Sequence, residues 1–396
     1  MKIAFVLTQS LDSPSGIGRY GPLTREMSRL GHQMEVIALH YAWDRLSPKT
    51  FIDAGVKVNY VGQMHVMKKG SRKLYFSPGR LLLVSLMSTI RLAQAIARSD
   101  AEIIHLCKPQ PFNIIAAKLS RRGRPLFCDC DDYEAETNRY SNKWQKIVVR
   151  YFEDHIVHIV SGLTVNTKFT QQRYIQLGFP QEKIQYVPNG IERTRFTPPR
   201  LTTEKLRQKW GINPNTPIII YIGTLGLSSH PVNLLLEAFQ NIQLQLPETR
   251  LLLVGGGEDY DHLKQLACKL DIADQTIFTG RVNPGEIPSF LSLATVSVDP
   301  VYDDLTARAR SPLKILESLA MGIPVVTGDI GDRRLLLADG DCGVLINAGD
   351  SLALSNGLLE VLLNTRARER MVNAALAYRK NWYWDHLVLN FLKIYP

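Results

Sequence analysis

The sequence predicts an α/β protein built from two successive parallel-sheet layers. In both halves short apolar runs alternate with longer helical patterns, the arrangement of parallel strands covered by helices on each face. A turn-rich segment, Pro188 to Arg200, contains the pair Pro198-Pro199 and separates the halves near residue 195. With 396 residues the chain has room for two domains of ordinary size.

In the first half, strands are expected at 3–7, 34–39, 57–61, 102–106, 126–129, 162–165 and 184–187. In the second they are expected at 218–222, 251–254, 276–279, 296–298, 325–327 and 343–346. After residue 351 the pattern is helical throughout. The run Trp382 to Leu392 is too aromatic and apolar to stand in solvent, so it is expected to dock back on the first domain. The expected organisation is therefore residues 1–195, residues 196–375, and a returning segment 376–396.

Composition narrows the class. At 45% hydrophobic and 21% charged, the chain is neither disordered nor fibrous. Five scattered cysteines, Cys107, Cys128, Cys130, Cys268 and Cys342, fit no zinc spacing and point to a reduced, cytoplasmic, metal-free protein. The apolar run at residues 3–7 reads as a first strand and not as a signal peptide. Residues 81–90 include three hydroxyl side chains and fall short of the ~20 apolar residues that span a bilayer, so no crossing is expected.

The net charge of +10 is unevenly placed: residues 1–200 hold 29 Lys and Arg against 16 Asp and Glu, whereas residues 201–396 hold 18 against 21. Lys68, Lys69, Arg72, Lys73 and Arg80, followed by Leu81-Leu82-Leu83-Val84, suggest an amphipathic segment on an anionic membrane face or beside a lipid-linked substrate. A solvated basic loop is the plainer reading. No nucleic-acid motif accompanies the basic clusters, so nucleic acid is not an expected partner.

The most informative motif is Ser311-Pro312-Leu313-Lys314-Ile315-Leu316-Glu317. Ser311 is placed as an N-cap and Pro312 as a first helical residue, with Leu313, Leu316 and Ala320 as the buried stripe. Lys314 then falls in a first turn that is already electropositive, which calls for a negative partner. Glu317 on the same face is one candidate, and a bound phosphate is the other.

Other motifs lie just after strands, where open α/β sheets hold ligands. Gly16 and Gly18 open a helix and are either a phosphate approach or a plain turn. Gly223, and Gly255-Gly256-Gly257, repeat the glycine-after-strand device. Asp131 and Asp132 crowd carboxylates with Asp129 and Glu134, suited to a cation, to sugar hydroxyls or to a base, or else to capping a helix. His105 is expected at a strand end on the ligand side, as a catalyst or as a satisfied core residue.

Taken in order, these stretches resemble family 4 retaining glycosyltransferases. The resemblance rests on Ser15-Gly16-Ile17-Gly18-Arg19-Tyr20 with Gly31-His32, and on Gly178 to Ile184 leading into Val187-Pro188-Asn189-Gly190-Ile191 and Arg195-Phe196. It continues through Leu236-Glu237-Ala238-Phe239, Leu253-Val254-Gly255-Gly256-Gly257, Phe278-Thr279-Gly280-Arg281-Val282 and Glu317 to Val326, across essentially the whole chain. It implies the GT-B architecture, two facing Rossmann-like domains with parallel sheets and a cleft between them. It also implies transfer of a sugar from a UDP- or GDP-sugar donor to a lipid-linked or polysaccharide acceptor, with retained configuration and no required metal or cofactor. A cytoplasmic protein, peripheral on the inner membrane face, would suit that acceptor.

Carried over by position, Glu317 resembles the glutamate that holds the ribose hydroxyls, Arg281-Val282 the base-binding segment, and Gly16 the glycine facing the donor phosphates. Ala309 stands where the family has its first glutamate, and Thr224 and His230 stand where it has the diphosphate-neutralising Arg and Lys. Lys314, assisted by Arg308 or Arg310, is therefore expected to meet the charge of the leaving diphosphate, with Ser311, Pro312 and Leu313 as its neighbours in the donor site. Asp131, Asp132 and His105 are expected to orient acceptor or donor sugar. Two rival readings remain at this point: a sugar-nucleotide 2-epimerase on the same architecture, and a non-catalytic scaffold.

Overall fold

The computed structural model describes residues 1–69, 72–138, 140, 142–196 and 200–396. The side chains of Lys68, Lys69, Arg72 and Lys73 lie outside those described, and with them most of the basic cluster singled out above. The chain divides into two compact units. One comprises Met1–Gly190, Ala309–Ser311 and Trp384–Pro396, the other Ile191–Arg308 and Pro312–Tyr383.

The first unit is built on strands β1 (Lys2–Leu7), β2 (Gln33–His40), β3 (Thr50–Asp53), β4 (Val56–Gln63), β5 (Val66–Lys69), β6 (Arg72–Tyr75), β7 (Ile103–Cys107), β8 (Leu126–Cys130), β9 (Gly162–Val165) and β10 (Ile184–Tyr186). Eight of these form one sheet in the order β10-β9-β8-β7-β1-β2-β4-β3, parallel except for β3 against β4. Strands β5 and β6 pair only with each other.

The second unit has β11 (Ile218–Ile222), β12 (Arg250–Val254), β13 (Thr276–Gly280), β14 (Val296–Asp299), β15 (Val325–Gly328) and β16 (Gly343–Ile346), all parallel, in the order β13-β12-β11-β14-β15-β16. In both sheets the strand order reverses beside the first strand of the unit, the arrangement that places ligand sites at the carboxyl ends of neighbouring strands.

Strands buried on both faces need continuous apolar runs, and those runs are why all the strands expected from the sequence appear within one or two residues at each end. The unexpected ones are β3, β5 and β6, short and antiparallel. Ala54 and Gly55, at φ 48° and 86°, make the tight turn that folds β3 onto β4.

Each sheet has a core on both faces. In the first unit one face carries Leu92 and Ile96 of the helix Pro78–Arg98 with Ile114 and Ala117 of the helix Pro111–Ser120. On the other face, Tyr20, Leu23 and Met27 pack with Trp384, Leu387, Val388, Phe391 and Tyr395 of the returning segment. In the second unit Ile315, Leu316 and Leu319 cover one face and Leu235, Phe239, Leu354 and Leu358 the other.

The helix Pro78–Arg98 is long and apolar enough to cross a membrane, which corrects the shorter run expected from residues 81–90. Ser88, Leu92 and Ile96 are its buried positions, and Ser88 Oγ donates to the Gln63 carbonyl at 2.6 Å. Leu82, Leu83, Leu86 and Met87 are exposed.

Candidate active site

In the second unit the site is built around the last residue of β14. Asp299 is buried, and two cations converge on it: Arg333 Nε donates to Oδ2 at 2.9 Å, and Lys314 Nζ lies 3.1 Å from Oδ1. Burial would push this carboxyl up, but Lys314 and Arg333 outweigh burial and hold it well below the usual carboxylate range. The Lys314 ammonium also sits 4.4 Å from the ring centre of Tyr221. Its nitrogen is buried, and beyond that 3.1 Å contact none of its N–H groups has an aligned acceptor among the described residues.

Lys314 belongs to the helix Leu313–Ala320, whose N-cap is Pro312. The helix therefore does not start at Ser311. The side chain of Ser311 is engaged elsewhere: its Oγ accepts from Asn189 N–H at 3.1 Å, and its carbonyl accepts from Asn189 Nδ2 at 2.7 Å. The apolar residues buried on the helix are Ile315, Leu316, Leu319 and Ala320, so Leu316 and Ala320 lie where the stripe was expected while Leu313 is half-buried.

Glu317, one turn on from Lys314, pairs instead with Arg195. Its Oε1 is 3.8 Å from Arg195 Nη2, and burial pushes its carboxyl up to about 7 although Arg195 and Lys314 pull it back. The same Arg195 nitrogen donates to the Pro284 carbonyl at 2.7 Å. A carboxyl that titrates near neutrality is poised to accept from ligand hydroxyls once ionised.

Two glycine loops border Lys314. A Cβ on Gly255 would stand 1.9 Å from the Gly223 carbonyl oxygen, and one on Gly257 would stand 2.1 Å from that of Leu225. These glycines are needed because two backbones touch. Gly223 has a further role, because a Cβ there would lie 2.8 Å from the Tyr221 hydroxyl and 3.4 Å from Lys314 Nζ. Glycine thus keeps a side chain away from the ammonium. Tyr221 in turn donates to the Thr224 carbonyl at 2.9 Å.

The remaining donor-site candidates are distributed around this cluster. His230 is close enough for its charge to act on Asp299, Thr224 is exposed, Arg281 is exposed beside Gly256, and Val282 packs partly into the core. Arg308 does not assist Lys314: it makes a two-pronged pair with Asp303 at 2.6 and 2.9 Å. Arg310 is half-buried and is grouped, with Ser311, in the first unit.

In the first unit Lys108, at φ 75°, places its ammonium among three carboxylates, 3.0 Å from Asp131 Oδ1, 2.8 Å from Asp132 Oδ2 and 2.7 Å from Glu134 Oε1. These three are a carboxylate group dense enough for a metal ion, and here a lysine is the cation. Burial raises the Glu134 carboxyl, with Lys108 opposing and the two aspartates adding to the rise. Neither aspartate caps the helix Glu134–Thr137; the carboxylate of Glu153 does, accepting from Glu134 N–H at 2.9 Å and Ala135 N–H at 3.0 Å.

His105 is not at a ligand-facing strand end. It is the middle residue of β7, fully buried, 4.8 Å from the ring of Phe5, with Nδ1 2.8 Å from the Tyr395 hydroxyl. Burial, helped by the charge of Arg19, drives its pKa down to about 3, which fits the core-residue reading and not that of a ligand-side group. Gly16 and Gly18 are buried in a π-helical turn, Gly16–Tyr20. A Cβ at 16 would sit 2.4 Å from the Leu11 carbonyl oxygen, and the Gly16 N–H donates to Ser13 Oγ at 3.2 Å. Close chain packing, and not a free N–H, accounts for Gly16.

That turn aims Arg19 inward, a residue the sequence reading passed over. Arg19 donates to both Asp129 oxygens at 2.7 Å and reaches the Val187 carbonyl at 3.0 Å. Asp129 is the penultimate residue of β8 and Asp299 the last of β14, and no spacing in the sequence ties either to its cation.

Residues 22–195 match Glycosyltransferase Family 4, and residues 202–377 match Glycosyl transferases group 1. A GDP-mannose-dependent alpha-(1-6)-phosphatidylinositol monomannoside mannosyltransferase of Mycolicibacterium smegmatis is 23% identical, over 78% of this chain and 79% of its own. A phosphatidyl-myo-inositol mannosyltransferase of Mycobacterium tuberculosis is 23% identical over 100% of this chain and 96% of its own. Among solved structures, sucrose-phosphate synthase of Thermosynechococcus elongatus superposes with a TM-score of 0.78 at 15% identity, covering 99% of this chain and 97% of that one. Anabaena HepE in complex with UDP-glucose gives 0.75 at 20% identity, covering 100% and 98%. Two parallel-sheet units of this topology define the GT-B class of fold. The chain belongs to the family 4, group 1 glycosyltransferases.

Proposed function

We propose that the protein is a retaining, metal-independent glycosyltransferase that moves a sugar from a UDP- or GDP-sugar to the hydroxyl of a lipid-linked or glycan acceptor. The observation that carries this reading is the Lys314 ammonium: buried, charge-matched to Asp299, and with N–H groups beyond that contact that no acceptor among the described residues takes up. A buried cation with unused donors beside a helix start and a glycine suits a diphosphate. Glu317, one turn along the same helix, would accept from the ribose hydroxyls. The sugar–phosphate bond breaks, Lys314 meets the charge on the departing diphosphate, and the acceptor oxygen bonds to the anomeric carbon on the same face while its proton passes to a phosphate oxygen.

The acceptor class is supported by the mannosyltransferase relatives, whose names describe phosphatidylinositol lipids as acceptors. It is also supported by the apolar side chains left in solvent on the first unit: Leu82 and Leu83 on one helix, and Trp144 and Ile147 on the helix Lys143–His155. Together with the basic first half of the chain they fit a peripheral protein on an anionic membrane face. Asp131 and Asp132, with oxygens clustered about Lys108, are the residues proposed to orient sugar hydroxyls.

A donor screen tests the reading. Purified protein, a panel of UDP- and GDP-sugars and a membrane extract as acceptor source are analysed by mass spectrometry, with and without EDTA. The expected result is a hexose-bearing lipid product formed with one donor and undiminished by EDTA, with retained anomeric configuration by NMR. Conversion of donor without acceptor would mark an epimerase instead, and no binding of any donor would mark a scaffold.

A further inference from the structure

We propose that Asp299 is a positioning residue for the donor diphosphate, holding the Lys314 ammonium in place from behind while that ammonium's N–H groups face the phosphates. This rests on the reading of Lys314 given above. A carboxylate close to a diphosphate site is a problem that needs a reason, since its charge repels the ligand. The reason lies in how Asp299 is held.

One oxygen accepts from Arg333 Nε at 2.9 Å, and Arg333 is itself anchored by donating from Nη1 to the Ala307 carbonyl at 3.0 Å. The Asp299 main chain is fixed by Thr327 Oγ1, which donates to its carbonyl at 3.0 Å. The remaining oxygen is therefore a stationary negative point, and Lys314 Nζ rests 3.1 Å from it. A lysine side chain has four rotatable bonds and loses their freedom when it grips a ligand; one already held by charge loses less.

The geometry of the pair matters as much as its distance. Lys314 Nζ lies within ion-pair distance of Asp299, and beyond that contact no N–H of the ammonium is aligned on an acceptor among the described residues. The ring of Tyr221 lies 4.4 Å from Nζ on another side, and Gly223 puts no side chain against it. The cluster of Lys314, Arg333 and Asp299 keeps one net positive charge, so an anion is still attracted.

Two measurements test this. Crystals of the unmodified protein soaked with UDP or GDP are expected to show Nζ within hydrogen-bond reach of a phosphate oxygen while still beside Asp299. A lysine that has swung away from Asp299 to reach the phosphate would make the aspartate a competitor and overturn the proposal. Calorimetry with UDP and GDP supplies the second. Lys314→Ala is expected to weaken binding about 30-fold and Asp299→Asn about 10-fold, the range of charge-assisted hydrogen bonds.

Simple charge repulsion predicts the opposite sign for Asp299→Asn, so unchanged or tighter binding would sink the positioning role. In a Lys314→Ala background, Asp299→Asn is expected to change affinity less than about twofold, because it acts through the missing lysine. A full 10-fold loss there would mean general damage and would also overturn the proposal. If Lys314→Ala itself binds nucleotide as tightly as the parent, the donor-site reading fails, and this inference with it.

Discussion

Glu317 faces Arg195 at 3.8 Å, close enough to feel its charge and too far for a hydrogen bond. The carboxyl is pushed by burial from the ordinary 4.5 to about 7, with Arg195 and Lys314 opposing. Its proton is therefore bound more tightly in the folded protein, and its contribution to stability is lost as pH rises through about 7. Ribose hydroxyls need the ionised form as acceptor. Nucleotide affinity is expected to fall as pH drops below about 7, approaching ~10-fold per pH unit, with net proton release on binding near neutrality. Calorimetry in buffers of different ionisation heat measures the release, and Glu317→Gln should abolish it.

The pairing of His105 with Tyr395 predicts a stability effect without a catalytic one. Tyr395→Phe leaves His105 Nδ1 buried without its partner. The expected cost is about 1–3 kcal/mol in urea denaturation, with kcat of the folded fraction unchanged. A drop in kcat at constant stability would return His105 to the chemistry.

Lys108 offsets the mutual repulsion of three crowded carboxylates, so its removal should be severe. Lys108→Met leaves buried like charges uncompensated, at a cost of about 3–5 kcal/mol. Adding Glu134→Gln to that variant should recover part of the loss, since one of the three charges is then gone. Thermal and urea unfolding of the single and double variants check this.

Gly255→Ala tests the contact between the two glycine loops. Its methyl would overlap the Gly223 carbonyl oxygen, so the loop carrying Gly223 must move. We expect about 1–3 kcal/mol of destabilisation together with a raised KM for donor. Gly280→Ala, which also has positive φ but meets nothing within 4 Å, should leave donor KM much closer to the parent value.

The fold was legible because its elements are defined by local periodicity: β11 reads as strand from Ile218 to Ile222 with no help from elsewhere in the chain. What remained hidden were partnerships set at long range. Ser311 has the local credentials of an N-cap, but Asn189, 122 residues earlier, claims both its hydroxyl and its carbonyl, and the helix begins beyond it. Lys314 was recognised as an anion-seeking residue, whereas the register of β14 beside its helix supplies Asp299, which no spacing rule reveals. His105 looked like a ligand-side residue because the apolar run seemed to end there. The strand continues to Cys107, so the imidazole falls in mid-sheet.

Trp384, Phe391 and Tyr395 complete one face of the first unit's core, yet they follow the whole of the second unit in the chain. During synthesis, the earlier half must wait on the ribosome with that face uncovered until nearly two hundred further residues have emerged. Biogenesis of the amino-terminal half is thereby tied to completion of the other. Nascent chains that stall or lose the last dozen residues would present an open hydrophobic face to chaperones and proteases, and not a functional half-enzyme.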